Sequence, residues 1–335
     1  MATAPLLALL LLLTLLVLGV LVHVVARLFA AVAIGVAVYL AFCYGLLLVT
    51  LHRKGAPLPP RLLRAIATEF IACFLMAFLW PLGLLLRGTR ALDPDHGQRV
   101  PGSDPNRPSE APAGLEGEEA PRLPPLPVRR PVLLLHGYGM NSMTWVWLAS
   151  ALRRRGLGPL YTATYFSPQA LEQSAAHLGQ VVDEILRREG AERVDIIAHS
   201  LGGLVSRYFI ERLGGRVANL ITLGTPHQGT LLSRFGLGPV ALQLRPGCAL
   251  LVSPVTPPQG VRYLSIYSTA DQMVIPSDSA RILPDEASSE SCSELRLDGL
   301  GHLSLLLSPQ VAQLTAAMLR QKEEAGPPPP PTSPQ

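Results

Sequence analysis

The stretch Val194-Asp-Ile-Ile-Ala-His-Ser-Leu-Gly-Gly203 joins an apolar run to a serine and a pair of glycines. The apolar run predicts a strand buried on both faces, and residues 201–213 have the spacing of a helix that follows at once. Ser200 is therefore expected at a sharp strand-to-helix turn, in a strained conformation that raises its hydroxyl above the sheet edge. The positions two residues before and after it must be small, and they are Ala198 and Gly202.

Strands and helices alternate on both sides of this turn. The predicted strands are 131–135, 160–166, 193–198, 217–223, 261–267 and 293–297. The predicted helices are 144–155, 169–188, 201–213 and 308–319. This alternation predicts an α/β fold with a mostly parallel, doubly wound sheet, whose ligands bind at the carboxyl ends of the strands. Residues 131–320 are expected to form one compact domain.

Two later segments add an acid and a base to the serine. Asp271 comes just after the strand predicted at 261–267, and His302 lies in a glycine-flanked loop after the last strand. The order Ser200, Asp271, His302 is the order used by α/β-hydrolases. The helix that follows Ser200 points its positive end at the serine, and His136-Gly-Tyr-Gly139 follows the first core strand. The backbone N–H groups of Tyr138 and Leu201 are therefore expected to bind a developing oxyanion.

Other acids and histidines compete for these roles. Asp278 and Asp298 are alternatives to Asp271, whereas Asp195 lies too early in its strand to reach the carboxyl edge. The remaining histidines of the domain are expected to be structural or solvent-facing: His136 satisfied by loop backbone, His199 pointing away from the serine, His227 bracing the floor of the site and His177 on a helix surface.

Residues 131–310 resemble the small lipases and esterases of bacteria, especially the lidless Bacillus type. The resemblance rests on Ala198-His-Ser-Leu-Gly-Gly203, Ile266-Tyr-Ser-Thr-Ala-Asp271, Gly299-Leu-Gly-His302 and Gly224-Thr-Pro-His-Gln-Gly229. It implies the α/β-hydrolase fold and a serine hydrolase that cleaves carboxylic esters through an acyl-serine, with no cofactor. The larger Pseudomonas-type lipases carry a calcium-binding Asp two residues after the base. That position is Ser304 here, so the likeness gives no support for a metal.

Other functions remain open at this stage. An acyltransferase or thioesterase would use the same triad and differ only in the acceptor. A non-catalytic binding protein is less favoured, because all three triad positions carry competent residues. The segment 230–260, which includes Phe235, Leu237, Val240, Leu242 and Leu244, forms either an apolar rim for an acyl chain or ordinary core helices.

The apolar residues, 49% of the chain, are concentrated near its start. Helices are predicted at about 5–23, 28–51 and 68–87, the first two separated by a break at His23 and Arg27. Each of these two reaches the roughly 20 residues that cross a bilayer, and the third is shorter. A cleaved signal peptide would leave the later runs unexplained. Two or three transmembrane helices are therefore expected in the membrane region 1–87, and the membrane bilayer is an expected partner.

The segment 88–130 is predicted to be a Pro-rich disordered linker, and 321–335 a similar tail. The net charge of +4 and the lack of a basic face with aromatics argue against nucleic acid. No protein partner is predicted. Cys248 and Cys292 are left as either a disulfide or two free thiols.

Charge near the apolar runs predicts the orientation. Short cytoplasmic loops are rich in Lys and Arg, and the loop between the second and third runs contains Arg53, Lys54, Arg61 and Arg64. With this loop in the cytoplasm and all three runs spanning, which is the favoured reading, the hydrolase domain is expected on the periplasmic face of a bacterial inner membrane. If the third run only lies on the surface, the domain stays in the cytoplasm.

Overall fold

The computed structural model describes residues 3–85, 90–91 and 130–320. The predicted linker lies outside the described residues except for 90–91 and 130, and the predicted tail lies outside them entirely. The helices are α1 (Thr3–Arg53), α2 (Leu62–Leu85), α3 (Val146–Arg153), α4 (Leu171–Glu189), α5 (Leu201–Leu213), α6 (Pro239–Gln243), α7 (Ala249–Val252) and α8 (Pro309–Arg320). The strands are β1 (Arg90–Ala91), β2 (Val132–Leu135), β3 (Leu160–Ala163), β4 (Val194–His199), β5 (Val217–Leu223), β6 (Arg262–Ser268) and β7 (Cys292–Leu297).

The described strands form one sheet in the order β1-β3-β2-β4-β5-β6-β7. Strands β2 to β7 are parallel, and the two-residue β1 pairs antiparallel with β3 at the edge. Every residue of β2, β4 and β5 is buried, as expected for apolar strands covered on both faces. The parallel part of the sheet begins at β2, winds outward to β3, then crosses to β4 and continues the other way. The predicted α/β-hydrolase fold is confirmed.

Helices cover both faces of the sheet because successive side chains of a strand point to opposite faces. Leu133 packs into the core that includes α4 and α5, whereas Leu134 packs into the core that includes α3 and α8. Cys248 and Cys292 lie beside the first of these cores and are not joined to each other.

Helix α1 is continuous from Thr3 to Arg53, so the predicted break at His23 and Arg27 is wrong. One charged side chain does not interrupt a helix, since the backbone hydrogen bonds continue and no Pro follows within the run. Two helices, Thr14–Arg53 and Leu62–Leu85, are long and apolar enough to cross a membrane, which is weak evidence for an anchor. At 1.5 Å per residue α1 is about 76 Å long, more than twice the core of a bilayer.

The second half of α1 and all of α2 pack against the hydrolase domain. Leu40, Tyr44 and Leu47 of α1 form a buried cluster with Ile275. The buried residues of α2 lie three, four or seven positions apart and so share one face: Ala65, Glu69, Ala72, Met76 and Gly83. The two helices contact each other through stacked Phe29 and Phe78 rings, 4.6 Å apart.

The first half of α1 is different. Its side chains from residue 14 to residue 30 are exposed, and most of them are large and apolar. The N-terminal region is thus a helical hairpin docked on the domain, from which the start of α1 projects.

Candidate active site

Ser200 lies between β4 and α5, as its position in the sequence predicts. Its backbone has φ 54 and ψ −124, a conformation that costs a non-glycine residue free energy. The turn is held by backbone, because the Ser200 N–H donates to Leu223 O at 2.9 Å. A Cβ at Gly202 would lie 2.5 Å from Leu135 O, which is why only glycine fits two residues after the serine.

Asp271 and His302 form a buried pair at the ends of β6 and β7. The distance from His302 Nδ1 to Asp271 Oδ2 is 2.8 Å, and the two residues are 6% and 1% exposed. Asp271 Oδ1 also accepts hydrogen bonds from the N–H groups of Met273 and Val274, at 2.8 and 3.0 Å. The carboxylate is therefore fixed by its own loop while it faces the imidazole.

The pair lies directly beside the serine turn. Gly224 follows Leu223, the acceptor of the Ser200 N–H, and has φ +57. A Cβ at Gly224 would lie 2.9 Å from Asp271 Oδ2 and 3.2 Å from His302 Nδ1, so a side chain there would displace the pair. The His302 ring also lies 4.5 Å from the ring of His199, the residue before the serine.

The electrostatic surroundings single out His302 among the buried histidines. Burial alone would lower the pKa of His302, but the Asp271 carboxylate outweighs it and raises that pKa above 6.5, with a smaller contribution from Glu69. Burial lowers the pKa of His136 to about 4, and it lowers the pKa values of His199 and His227 well below 6.5. These three imidazoles are neutral at pH 7.

The neutral histidines hold the scaffold together. His136 Nδ1 lies 2.8 Å from Gly137 O, as expected for a histidine satisfied by its own loop. His199 Nε2 lies 3.2 Å from His302 O, and His227 Nε2 lies 2.9 Å from Thr222 Oγ1.

Among the described residues, no contact joins the competing acids to His302. Asp298 Oδ1 accepts a hydrogen bond from Thr269 Oγ1 at 2.7 Å. Asp195 pairs with Arg130 and with Asn219 near the start of β4. Asp278 lies in the short 3₁₀ helix Ser277–Ala280, and no contact joins it to His302 in the described part of the chain. Of the candidate acids, the structure brings Asp271 to the histidine.

The two expected oxyanion donors lie on either side of the serine. Leu201 begins α5, where the first N–H groups of a helix have no acceptor within it. Among the described residues, neither the Leu201 N–H nor the Tyr138 N–H has a hydrogen-bond acceptor. The Tyr138 hydroxyl donates to Leu237 O at 2.9 Å, which ties this loop to the segment after β5.

An apolar cavity of about 260 Å³ opens at Ser200, Leu201 and Tyr138. Phe235 and Leu244 of the segment 230–260 line this cavity, and Val240 and Leu244 belong to the core, so the segment contributes to both; its role as a rim for an acyl chain stays a prediction. Helix α1 supplies the opposite wall through Tyr39, Phe42 and Cys43. The rings of Phe42 and Phe235 meet edge to face at 5.3 Å.

Sequence reasoning missed this wall and also missed Glu69, a buried residue of α2 that contacts the His302 loop. The apolar pattern of α1 contains nothing that marks its cavity-lining side chains. Glu69 did carry a signal, because it is the single acidic residue before Asp93 and lies within an apolar run. Such a residue marks a functional site by default.

Comparisons with family models, curated proteins and solved structures each find proteins similar to this chain. A family model described as palmitoyl protein thioesterase matches residues 131–249. That region includes Tyr138, Ser200 and Leu201, whereas Asp271 and His302 lie beyond it.

Similar curated proteins include two triacylglycerol lipases. That of Pseudarthrobacter phenanthrenivorans is 33% identical over 116 residues, covering 32% of this chain and 36% of the relative. That of Burkholderia plantarii is 33% identical over 116 residues, covering 32% of each chain. This chain therefore matches about a third of the length of these relatives.

Among solved structures, the mature form of Bacillus licheniformis lipase BlEst2 is similar with a TM-score of 0.48 and 16% identity, covering 58% of this chain and 94% of that chain. The monoacylglycerol lipase of Paleococcus ferrophilus is similar with a TM-score of 0.40 and 14% identity, and the match covers 58% of this chain and 95% of that chain.

Proposed function

We propose that this chain, an α/β-hydrolase of the lipase and esterase type, cleaves carboxylic esters with Ser200 as nucleophile. One observation carries the proposal. The Ser200 hydroxyl, on a strained turn, opens on an apolar cavity beside the buried His302–Asp271 pair. Among the described residues, nothing in the chain satisfies this hydroxyl by a hydrogen bond.

The mechanism follows from these groups as acyl transfer in two stages. Asp271 accepts the Nδ1–H of His302, which leaves the lone pair of Nε2 free. Nε2 takes the proton of Ser200 as Oγ attacks the ester carbonyl carbon. The same proton then passes to the departing alcohol and an acyl-serine remains. Water that gives its proton to His302 attacks the acyl-serine, which releases the acid and restores Ser200.

The oxyanion of each tetrahedral intermediate would be bound by the N–H groups of Tyr138 and Leu201. Both residues border the cavity, and neither N–H is engaged within the described chain. Removal of one such donor typically raises the barrier by about 3–4 kcal/mol.

The substrate class follows from the cavity. Its walls are almost entirely apolar, so it suits the acyl chain of a lipid rather than a polar acid. The triacylglycerol lipases with which this chain shares sequence act on substrates of that class.

The match to the thioesterase model favours a second candidate, a thioesterase that uses the same triad. An acyltransferase remains the other alternative, and it differs only in the acceptor. A panel of matched oxygen esters, thioesters and alcohol acceptors separates these activities by the ratio of their kcat/KM values.

The membrane anchor is also a proposal. The docked part of the hairpin lies against a domain with a polar surface, which cannot enter the bilayer core. The start of α1, up to about Phe29, is free to do so and is about 40 Å long at 1.5 Å per residue. We infer one crossing by this part of α1, in a bacterial inner membrane.

The side of the membrane stays a prediction. With the basic loop in the cytoplasm, a periplasmic domain would require that the third apolar run also cross, whereas this run, α2, is docked on the domain along one face. A Cβ at Gly299, in the His302 loop, would lie 2.9 Å from Arg61 Cβ, so the basic loop and the catalytic site share one side. Since basic loops are retained in the cytoplasm, the single crossing favours the cytoplasmic face.

The test of the enzyme function is active-site labelling of the full-length chain in detergent with a fluorophosphonate probe. We expect wild type to be labelled and to hydrolyse p-nitrophenyl esters, and Ser200→Ala to do neither. Labelling that persists in Ser200→Ala would show that another residue reacts. A wild-type chain that neither takes the probe nor hydrolyses any ester of the series would refute the proposal.

A further inference from the structure

Glu69 is a fully buried carboxylate on α2, far from the catalytic residues in sequence. Its neighbours on the buried face of the helix, Ala65 and Ala72, are apolar, and it forms no salt bridge with a described residue. Instead, it points into the loop that carries His302. Burial of an acidic side chain without a cation is costly unless other donors satisfy it.

Three N–H donors next to His302 satisfy Glu69, and the Cys73 thiol, one turn further along α2, donates weakly to Oε1 at 3.8 Å. The N–H of Leu303 donates to Oε1 and the N–H of Ser304 donates to Oε2, each at 2.8 Å. The side-chain amide of Gln272 also donates to Oε1 at 2.8 Å. Leu303 and Ser304 begin the 3₁₀ helix Ser304–Leu307, so the carboxylate caps a helix that starts directly after the histidine.

Gln272 extends this contact to the other side of His302. Its Oε1 accepts a hydrogen bond from the His302 N–H at 3.1 Å, and its side chain is fully buried. It also follows Asp271, the partner of the imidazole. Glu69 therefore contacts the backbone after His302 directly, at the N–H groups of Leu303 and Ser304. It contacts the N–H of His302 itself indirectly, through the side chain of Gln272.

The loop is shaped to receive this carboxylate. A Cβ at Gly301 would lie 2.6 Å from Glu69 Oε2 and 2.8 Å from Glu69 Cβ. The glycine before the histidine is thus required by the approach of α2.

We propose that Glu69 is a positioning residue of the catalytic site, by which the N-terminal hairpin sets the place of His302. This rests on the proposed function. The hairpin is then part of the enzyme as well as its anchor, and residues 131–320 alone lack one side of the base loop. Glu69 touches no substrate and acts only through the loop.

The test is Glu69→Gln in the full-length chain in detergent, assayed with soluble p-nitrophenyl esters. The Gln side chain keeps the shape but turns an amide N–H₂ toward one of the N–H donors, so the loop must shift. Since a displacement of about 1 Å at a reacting group can cost about 100-fold, we expect kcat to fall 10- to 100-fold. KM should stay within about threefold, because the cavity is unchanged.

The matched control is Met76→Ala, seven residues further along the same buried face of α2. It weakens the docking of α2 without removing a hydrogen bond to the loop, so kcat should stay near that of wild type. An equal fall of kcat in both variants would mean that α2 matters only for stability, and it would overturn the proposal. A kcat of Glu69→Gln equal to wild type would overturn it as well.

Hydrogen exchange followed by mass spectrometry gives a readout that needs no activity. Glu69→Gln should speed exchange of the amides of Leu303 and Ser304, and Met76→Ala should not. Unchanged exchange in Glu69→Gln would refute the loop contact itself. Failure of the proposed function would be seen separately, as a wild-type chain that neither hydrolyses esters nor reacts with the fluorophosphonate probe. In that case the exchange rates would still decide whether Glu69 holds the loop.

Discussion

Asp271→Asn tests the assignment of the acid, and the structure specifies what the change does. Asp271 Oδ1 accepts two backbone N–H groups, those of Met273 and Val274. An Asn side chain keeps its single oxygen at that place, because the amide nitrogen cannot accept these bonds. Its Nδ2 then occupies the position of Oδ2, 2.8 Å from His302 Nδ1, and presents a hydrogen where the imidazole now donates one.

The magnitude follows from the tautomer that this contact imposes. The amide nitrogen would lie 2.8 Å from Nδ1 and the retained oxygen 3.0 Å from it, so the nearer contact favours the tautomer in which His302 accepts at Nδ1. That tautomer carries its proton on Nε2, where it cannot take the proton of Ser200. Replacement of the acid in a serine-histidine-aspartate triad by Asn lowers kcat about 10⁴-fold. That factor corresponds to about 5.4 kcal/mol in activation free energy. The packing of the side chain is nearly unchanged, so the free energy of unfolding should change far less.

The assay compares kcat for a short p-nitrophenyl ester in detergent among the wild type, Asp271→Asn, Asp278→Asn and Asp298→Asn. We expect Asp278→Asn and Asp298→Asn to stay within about tenfold of wild type, since the Asp298 carboxylate accepts from Thr269 and no contact joins Asp278 to His302 among the described residues. A loss below tenfold in Asp271→Asn would refute the tautomer argument. A crippling loss in Asp298→Asn would move the acid to the loop after β7.

Three further outcomes are expected. Because the base must be neutral and Asp271 raises the pKa of His302, kcat/KM should fall as the pH drops, with a midpoint above 6.5; a midpoint below 6.5 would contradict the ion pair. Ser200→Gly and Ser200→Ala are both expected to be inactive, so their comparison reports backbone strain alone. Because only glycine relieves the positive φ, the free energy of unfolding of Ser200→Gly in chemical denaturation should be about 1 kcal/mol higher than that of Ser200→Ala. Equal free energies would mean that the turn is unstrained. Cys43→Phe, which fills cavity space from α1, should lower kcat/KM for long-chain esters at least about tenfold and leave kcat/KM for short esters unchanged. The control Val38→Phe, on the exposed face of α1, should change neither value. An unchanged chain-length profile in Cys43→Phe would place the acyl chain elsewhere.

Local patterns accounted for most of the hydrolase domain. The helix predicted at 201–213 matches α5 and the strand at 217–223 matches β5, since the helical spacing of the first and the apolar run of the second each end at a glycine. The candidate acid and base could be chosen from the sequence because the carboxyl ends of parallel strands meet at one edge, so that residues just after β6 and β7 become neighbours. Only the choice among Asp271, Asp278 and Asp298 required coordinates, because all three lie in loops whose paths the sequence does not specify.

The N-terminal region separates what the sequence by itself determined from what tertiary structure decided. Its composition was enough to predict long apolar helices, because hydropathy is a sum over residues and needs no knowledge of neighbours. It could not show that α1 walls the cavity or that Glu69 reaches Leu303, since a helix whose surface is apolar all round has no preferred face. The face of α2 that packs inward is decided only by contact with the folded domain. Three N–H donors near His302 satisfy the buried Glu69 carboxylate there, and this fixes which side of the helix faces the domain.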